Sequence, residues 1–166
     1  MYKVNDVVVY GTSGVCRVAE IGPLEMASDK NKLYYTLCPL FQRGTVIYAP
    51  VDNMKSVMRP VLSKDDIHTL IDDIPQIDTI EVKSDRERET LYKSALRTCD
   101  PRELVKVIKT VYFRRKDRLA SGKKRIIVDE KYFQLAEQQL YEEMAYVMDE
   151  SKESMADYIS QQVKAV

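Results

Sequence analysis

The sequence has few of the residues that enzyme centres and metal sites most often use. Its 166 residues include one histidine, three cysteines and no tryptophan. Cys16, Cys38 and Cys99 are odd in number and far apart, which excludes a disulfide framework and a Cys-x-x-Cys metal knuckle within one chain. We therefore expect a reducing, cytoplasmic environment and no cofactor.

Long apolar runs are also absent. No stretch approaches the roughly 20 apolar residues that a membrane-spanning helix needs. The first eleven residues, MYKVNDVVVYG, contain one Lys followed by Asn5 and Asp6, and this is not the basic start and apolar run of a signal peptide. The sequence thus predicts a protein without a membrane segment.

Two short patterns resemble fragments of catalytic motifs. Gly11-Thr-Ser-Gly14 has the glycines of a phosphate loop, but no Gly-Lys-Ser/Thr follows it, so we interpret it as a hairpin turn. His68 lies near Asp65, Asp66 and Asp72, and an acid–base site there would make the protein a small hydrolase. A surface histidine beside acidic residues is the simpler interpretation, and the sequence favours a protein that is not an enzyme.

Charge is unevenly distributed along the chain. The totals are equal, with 26 basic and 26 acidic residues. Residues 99–131, however, hold 11 basic and 5 acidic residues, a net charge of +6. Residues 132–166 hold 2 basic and 7 acidic residues, a net charge of −5. The local electric field is therefore more informative than the net charge.

The first 60 residues have the pattern of a small β-domain. Apolar or β-branched runs at residues 4–10, 15–21, 33–37, 45–49 and 56–58 are separated by turn residues. Five short strands at regular spacing predict a small β-barrel. The strand near residues 45–49 could lie at an edge, where a partner can add a strand.

The pattern becomes helical after Pro60. Ser63 and Ser84 are candidate helix caps, the latter as a capping box with Glu87, and Pro101 follows Asp100 at another helix start. Residues 72–83 resemble a linker or an irregular turn. We predict a long helix over residues 122–149, capped by Ser121, and a short acidic helix after Ser151. The expected buried side of the long helix comprises Ile126, Ile127, Leu135, Leu140, Met144, Val147 and Met148.

Two clusters of cations flank a break in this helical half. Arg114, Arg115, Lys116 and Arg118 end one predicted helix, and Lys123, Lys124 and Arg125 begin the next. With Lys106 and Lys109 they would form a patch suited to phosphates. Cations at a helix N-terminus oppose the helix dipole, which suggests an external anion. Nucleic acid is the first candidate, and an acidic protein surface is the alternative.

Several segments, in this order, resemble the CarD/CdnL family of bacterial transcription regulators. Tyr2-Lys-Val-Asn-Asp-Val-Val-Val-Tyr10 with Ser13-Gly14-Val15 resembles the start of the family. Ala49-Pro50-Val51-Asp52-Asn53 resembles its Val-Pro-x-Glu-Asn segment. Leu104-Val-Lys-Val-Ile-Lys109, Arg114-Arg115 and Leu119-Ala-Ser-Gly-Lys-Lys-Arg125 resemble its Arg-rich helix and the turn after it.

The resemblance implies a function that composition does not reveal. It implies a Tudor-like N-terminal barrel, also found in transcription-repair coupling factors, that binds the RNA polymerase β subunit through a strand edge. It also implies a helical module that contacts promoter DNA near the melted bubble and alters open-complex stability. Many family members place a Trp, wedged into the minor groove, where this sequence has Asp85.

We therefore expect an α+β protein with a Tudor-like β-barrel over residues 1–60 and an all-α module over residues 61–166, most simply a monomer. The expected polymerase contacts are Thr45, Val46, Ile47, Tyr48, Ala49 and Pro50. The expected DNA contacts are Arg86, Arg88, Arg114, Arg115, Lys116, Arg118, Lys123, Lys124 and Arg125. Alternatives are a protein adaptor that never touches DNA, and an acidic tail from residue 132 that folds back on the basic patch.

Overall fold

The chain divides into two compact units, Met1–Val61 and Leu62–Val166. The computed structural model describes residues 1–52 and 55–165, and Asn53 of the family-like segment lies outside these ranges. The first unit is a five-stranded antiparallel sheet and the second consists of five helices. This confirms the predicted α+β class.

The first unit has the spatial strand order β4-β3-β2-β1-β5. A 3-10 turn, Gly11–Ser13, joins the first two strands, and Gly14 follows it with a φ of 74° that favours glycine. This confirms the predicted turn. The strands are β1 (Val7–Tyr10), β2 (Val15–Gly22), β3 (Tyr34–Pro39), β4 (Ile47–Pro50) and β5 (Met58–Pro60).

The predicted barrel is not closed. Within the described residues β4 pairs only with β3, and β5 pairs only with β1. Closure would require these two edges to pair, but they are four and three residues long and both end in proline. Because proline has no N–H to donate, it limits the ladder at both edges. The unit is therefore an open sheet.

One face of the sheet holds the core of the first unit. Alternate residues of the strands point to this face, as the two-residue period requires. Its fully or almost fully buried members are Val8, Cys16, Val18, Tyr35, Leu37 and Ala49. Burial raises the pKa of the Cys16 thiol to about 12, so this cysteine is a protonated core residue and not a nucleophile.

The second unit contains helices of 10 to 22 residues. Three predicted starts are confirmed: Ser63 accepts from the Asp66 N–H in a capping box, Asp100 caps the helix that begins at Pro101, and Ser151 caps the last helix. The helices are α1 (Lys64–Asp73), α2 (Asp85–Arg97), α3 (Pro101–Ala120), α4 (Ile127–Met148) and α5 (Lys152–Lys164).

Two other predicted caps do not form, although α2 begins after Ser84 as predicted. The Ser84 side chain makes no capping hydrogen bond, so the expected box with Glu87 does not form. Ser121 does not cap α4 but ends α3, and α4 begins only at Ile127 after an N-cap, Ile126, that has no side-chain cap. Residues 121–126 therefore form a connection, here called the α3–α4 turn, and not the first turn of a helix.

The expected linker at residues 72–83 belongs to the helical core. A 3-10 turn, Ile74–Gln76, extends α1, and Ile74 and Ile77 are buried. The ammonium of Lys109 donates to the carbonyls of Ile74, at 2.8 Å, and Ile77, at 2.5 Å. These contacts satisfy a buried charge and fix this segment on α3.

The buried face of α4 agrees with the prediction in part. Leu140 is buried, but Ile127 is 86% exposed and Leu135 is 37% exposed. Met144 is buried as predicted, and Val147 and Met148 pack against the core. Tyr132 and Ala136 complete the buried stripe.

The acidic segment from residue 132 is part of this core. It comprises most of α4 and all of α5, and Met155, Ile159 and Val163 of α5 are at most 2% exposed. A segment that supplies core side chains cannot detach to cover a basic patch without loss of packing. The structure therefore places the acidic segment in the helical core, and the expectation that it folds back on the basic patch is not met in this packing.

Among the described residues, no helix has an apolar stretch that could cross a membrane.

Candidate functional site

The first candidate surface is the free edge of β4. Its register with β3 pairs Tyr35 with Ala49 and Thr36 with Tyr48, and the Val51 N–H donates to the Leu33 carbonyl at 3.0 Å. Hydrogen-bonded and non-hydrogen-bonded pairs alternate along an antiparallel ladder. The backbone groups of residues 47, 49 and 51 therefore point to β3, and those of residues 46, 48 and 50 point away from the sheet.

The outward groups offer a short docking ladder. Val46 and Tyr48 each present an N–H and a carbonyl, whereas Pro50 presents only a carbonyl. The side chains of Val46 and Tyr48 are 48% and 43% exposed, while Ala49 is fully buried. Thr45 is exposed just before the strand, and Ile47 is half-buried. The residues expected to bind a partner thus form one edge with one exposed apolar face.

The opposite edge of the sheet is less suited to docking. The Gly11 N–H donates to the Val57 carbonyl at 2.8 Å, so the backbone groups of residues 58 and 60 point outward from β5. Pro60 has no N–H, which leaves Met58 as the single outward donor of this three-residue strand. Strand addition is therefore favoured at β4.

The second candidate surface lies on the helical unit, where the structure separates the nine expected DNA contacts into two groups. Five of the nine side chains are exposed. None of these five has an ion-pair partner among residues 1–52 and 55–165. They are Arg86, Lys116, Lys123, Lys124 and Arg125.

Three of the exposed cations lie on the α3–α4 turn. The Arg118 Nε donates to the Lys124 carbonyl at 2.6 Å, and the Lys123 N–H donates to the Arg118 carbonyl at 2.8 Å. These bonds fix the backbone of the turn and orient Arg118 back onto it. Lys123, Lys124 and Arg125 precede Ile126, the N-cap of α4, so they lie just outside the helix and not in its first turn as predicted.

Arg115 is occupied within the protein. Its guanidinium forms a bidentate pair with the Glu130 carboxylate and lies 3.8 Å from the centre of the Phe133 ring. The paired guanidinium holds the pKa of Glu130 below its usual range. Planar stacking and bidentate pairing are the geometry that arginine favours, so Arg115 connects α3 to α4.

Arg88 and Arg114 belong to a network around a buried carboxylate. Asp129 is 2% exposed. It accepts from the Tyr92 hydroxyl at 3.0 Å, and its Oδ2 lies 2.8 Å from the Arg114 Nε in an ion pair. Arg88 donates to the same Tyr92 hydroxyl at 3.4 Å. The two arginines are therefore held on the protein by Tyr92 and Asp129.

Asp85 approaches both arginines from the solvent side. Its Oδ1 is 3.4 Å from the Arg88 Nε and 3.6 Å from an Arg114 Nη, and its side chain is 85% exposed. These residues line a cavity of about 370 Å³ together with Arg86, Glu89, Ile126 and Val128. Sequence reasoning missed the roles of Tyr92 and Asp129, because these two residues are 37 positions apart and meet only where α2 packs against α4.

Lys106 and Lys109 do not extend the basic surface. Lys109 is 2% exposed and bound to backbone carbonyls, and burial lowers its pKa. Lys106 pairs with Glu103 at 2.8 Å on the same helix. The expected patch is therefore smaller than the sequence suggested.

The remaining candidates in the helical unit are an acid–base site at His68 and a metal site. His68 is exposed on α1. In the part of the chain that the structure describes, no group of three histidine, cysteine or acidic residues is placed to hold a metal ion.

One comparison identifies the first unit. Residues 2–62 match the family model of the CarD-like/TRCF RID domain. For residues 2–62 this confirms the resemblance found in the sequence and supports a CarD-like RNA polymerase-interacting module. The match ends where the helical unit begins. No curated protein matches the chain.

Proposed function

We propose that the protein is a non-enzymatic bacterial transcription regulator that binds the RNA polymerase β subunit through its sheet and promoter DNA through its helices. The observation that carries this proposal is the RID-domain match of residues 2–62, joined to an unpaired β4 edge in that domain. Such a protein works in the cytoplasm, where polymerase and promoter meet, and alters the stability of the open complex.

Strand addition is the proposed mode of polymerase binding. A strand of the partner would pair with the outward N–H and carbonyl groups of Val46 and Tyr48, and the exposed side chains of these two residues would contact it on one face. Backbone pairing supplies affinity in this mode, and side-chain contacts supply specificity.

Tyr48→Pro tests this mode. Proline removes the outward N–H, and the ladder to β3 is kept because Tyr48 is not a hydrogen-bonded partner of Thr36. We expect polymerase affinity to fall by about tenfold or more, because the variant loses one interfacial hydrogen bond and the proline ring keeps the partner strand from approaching the backbone. Affinity would be measured by biolayer interferometry on immobilised polymerase.

Tyr48→Ala is the matched control, because it removes the side chain and keeps the N–H. A larger loss for Tyr48→Pro than for Tyr48→Ala supports strand addition. Equal losses, with both variants folded by circular dichroism, would contradict it and would favour a side-chain docking surface.

Phosphate contact is the proposed mode of DNA binding. The exposed cations Lys116, Lys123, Lys124 and Arg125 lie at the end of α3 and on the α3–α4 turn. Lysine and arginine side chains that end in solvent can neutralise phosphates and release counterions, which makes binding salt-dependent. Such contacts position the module and do not select a sequence.

Replacing Lys123, Lys124 and Arg125 by Glu tests this contact in the full-length chain. We expect DNA affinity to fall and the slope of log K against log salt to shrink by about 3, close to one unit for each lost phosphate contact. Polymerase binding should survive. Fluorescence anisotropy with a labelled promoter duplex over 50–200 mM salt would measure it.

The control is a triple Glu replacement of Lys64, Lys83 and Lys164, which are exposed on the same unit and change the net charge equally. An equal loss in both triple variants would mean that overall charge, and not the α3–α4 turn, attracts DNA. DNA affinity that is absent at every salt concentration would favour the protein-adaptor alternative.

A further inference from the structure

The arginine pair on α2 and α3 has an unusual balance of charge. Arg88 and Arg114 share one buried carboxylate, Asp129, through Tyr92 and a direct ion pair. Their side chains are only 14% and 21% exposed, so solvent compensates the second positive charge poorly. An anion on the solvent side is needed to balance it.

Asp85 supplies that anion, but it does so loosely. Its distances of 3.4 and 3.6 Å to the two arginines exceed the 2.7–2.9 Å of a good charge-assisted hydrogen bond. The carboxylate is 85% exposed, which permits it to rotate away into water. Asp85 therefore lies next to both arginines but does not form a short, well-oriented ion pair with either of them.

Glu89, the second acidic residue that lines the cavity, already binds other side chains. Glu89 accepts from the Tyr132 hydroxyl at 2.9 Å and pairs with Lys93 at 3.5 Å. Arg86 lines the same cavity with no ion-pair partner in the described residues. With Asp85 turned away, the cavity would present three arginines and one engaged acid.

We propose that this cavity is a phosphate-binding site and that Asp85 is its internal competitor, a carboxylate that a phosphate group displaces from Arg88 and Arg114. The inference rests on the proposed DNA contact of the helical unit. It adds the condition that a backbone phosphate of DNA binds in the cavity only when it displaces the Asp85 carboxylate. Arginine pairs are suited to such a ligand, since their fixed donors match phosphate oxygens. A free phosphate has the same chemistry.

Asp85→Asn tests the inference by removing the competing charge with little change in size. We expect it to raise the affinity for a labelled DNA duplex by about tenfold, the value of one freed charge-assisted contact. Glu87→Gln is the matched control. Glu87 is an exposed acid in the same first turn of α2, and its loss changes the net charge and the helix-dipole interaction equally. We expect it to change affinity less than about twofold.

A second readout separates this inference from the DNA proposal. The Nε–H signals of Arg88 and Arg114 would be followed by NMR during titration with inorganic phosphate. We expect them to shift at lower phosphate concentration in Asp85→Asn than in Glu87→Gln.

The outcomes are distinct. If no variant binds DNA but phosphate shifts the arginine signals in Asp85→Asn, the proposed DNA contact fails, the site stands, and its ligand is a free phosphate. Equal DNA affinities for the two variants with no difference in the phosphate titration would overturn the inference and leave the DNA proposal intact.

Discussion

At the scale of single residues, the helical unit shows why sequence clusters overstate a basic surface. Arg115 and Lys123 are both members of Arg/Lys runs, and nothing local distinguishes them. The structure pairs Arg115 with Glu130, fifteen residues away, and leaves Lys123 in solvent. A pairing that depends on how two helices pack cannot be read from either run alone.

The Arg115–Glu130 pair makes a prediction about acid stability. The pKa of Glu130 is lowered below 4.5 by Arg115, so its stabilising contribution is complete above about pH 4.5 and is lost as the pH falls through the lower folded value. Glu130→Gln should lower the free energy of unfolding at pH 7 by about 1 kcal/mol. Urea unfolding followed by circular dichroism at pH 7 and pH 3 would measure this.

The difference between wild type and Glu130→Gln should shrink at the lower pH, because protonation removes the same charge. Glu150→Gln, at an exposed position, should leave stability nearly unchanged at both. A difference that stays constant with pH would show that the pair contributes no ionic stabilisation.

At the scale of elements, helix starts were predictable where the capping side chain alone decided them. Ser63 and Ser151 cap helices as their sequences indicate, since the side-chain oxygen reaches an N–H two or three residues on. Ser84 and Ser121 have the same local pattern and make no such cap. At Ser121 the connection between α3 and α4 extends to Ile126, and α4 begins at Ile127 without a side-chain cap.

The last helix gives the sharpest test of packing. Ile159 is fully buried, and its neighbour Tyr158 is 55% exposed. Ile159→Ala should cost about 2–5 kcal/mol through lost burial and a cavity. Tyr158→Ala is the control at the adjacent position and should cost less than about 1 kcal/mol.

Thermal and urea unfolding of both variants would measure the two costs. If Ile159→Ala were as mild as Tyr158→Ala, α5 would not be part of the helical core, and a detachable acidic segment would again be possible.

At the scale of the whole molecule, the order of the two units was predictable and the closure of the first was not. The period of apolar residues changes from strand to helix after Pro60, close to the division at Val61. The open sheet depends on β4 and β5, which are consecutive in the chain, lying at opposite edges as short strands that end in Pro50 and Pro60. The apolar runs of the sequence do not show which strands pair. The same openness creates the edge on which the polymerase proposal depends.

Retention of the full-length chain by immobilised bacterial RNA polymerase tests the central claim most directly, with wild type, Tyr48→Pro and the triple Glu variant at positions 123, 124 and 125 compared side by side. We predict that polymerase retains wild type and the triple variant equally and loses Tyr48→Pro. Failure of polymerase to retain the wild-type chain, or equal retention of all three, would contradict the account.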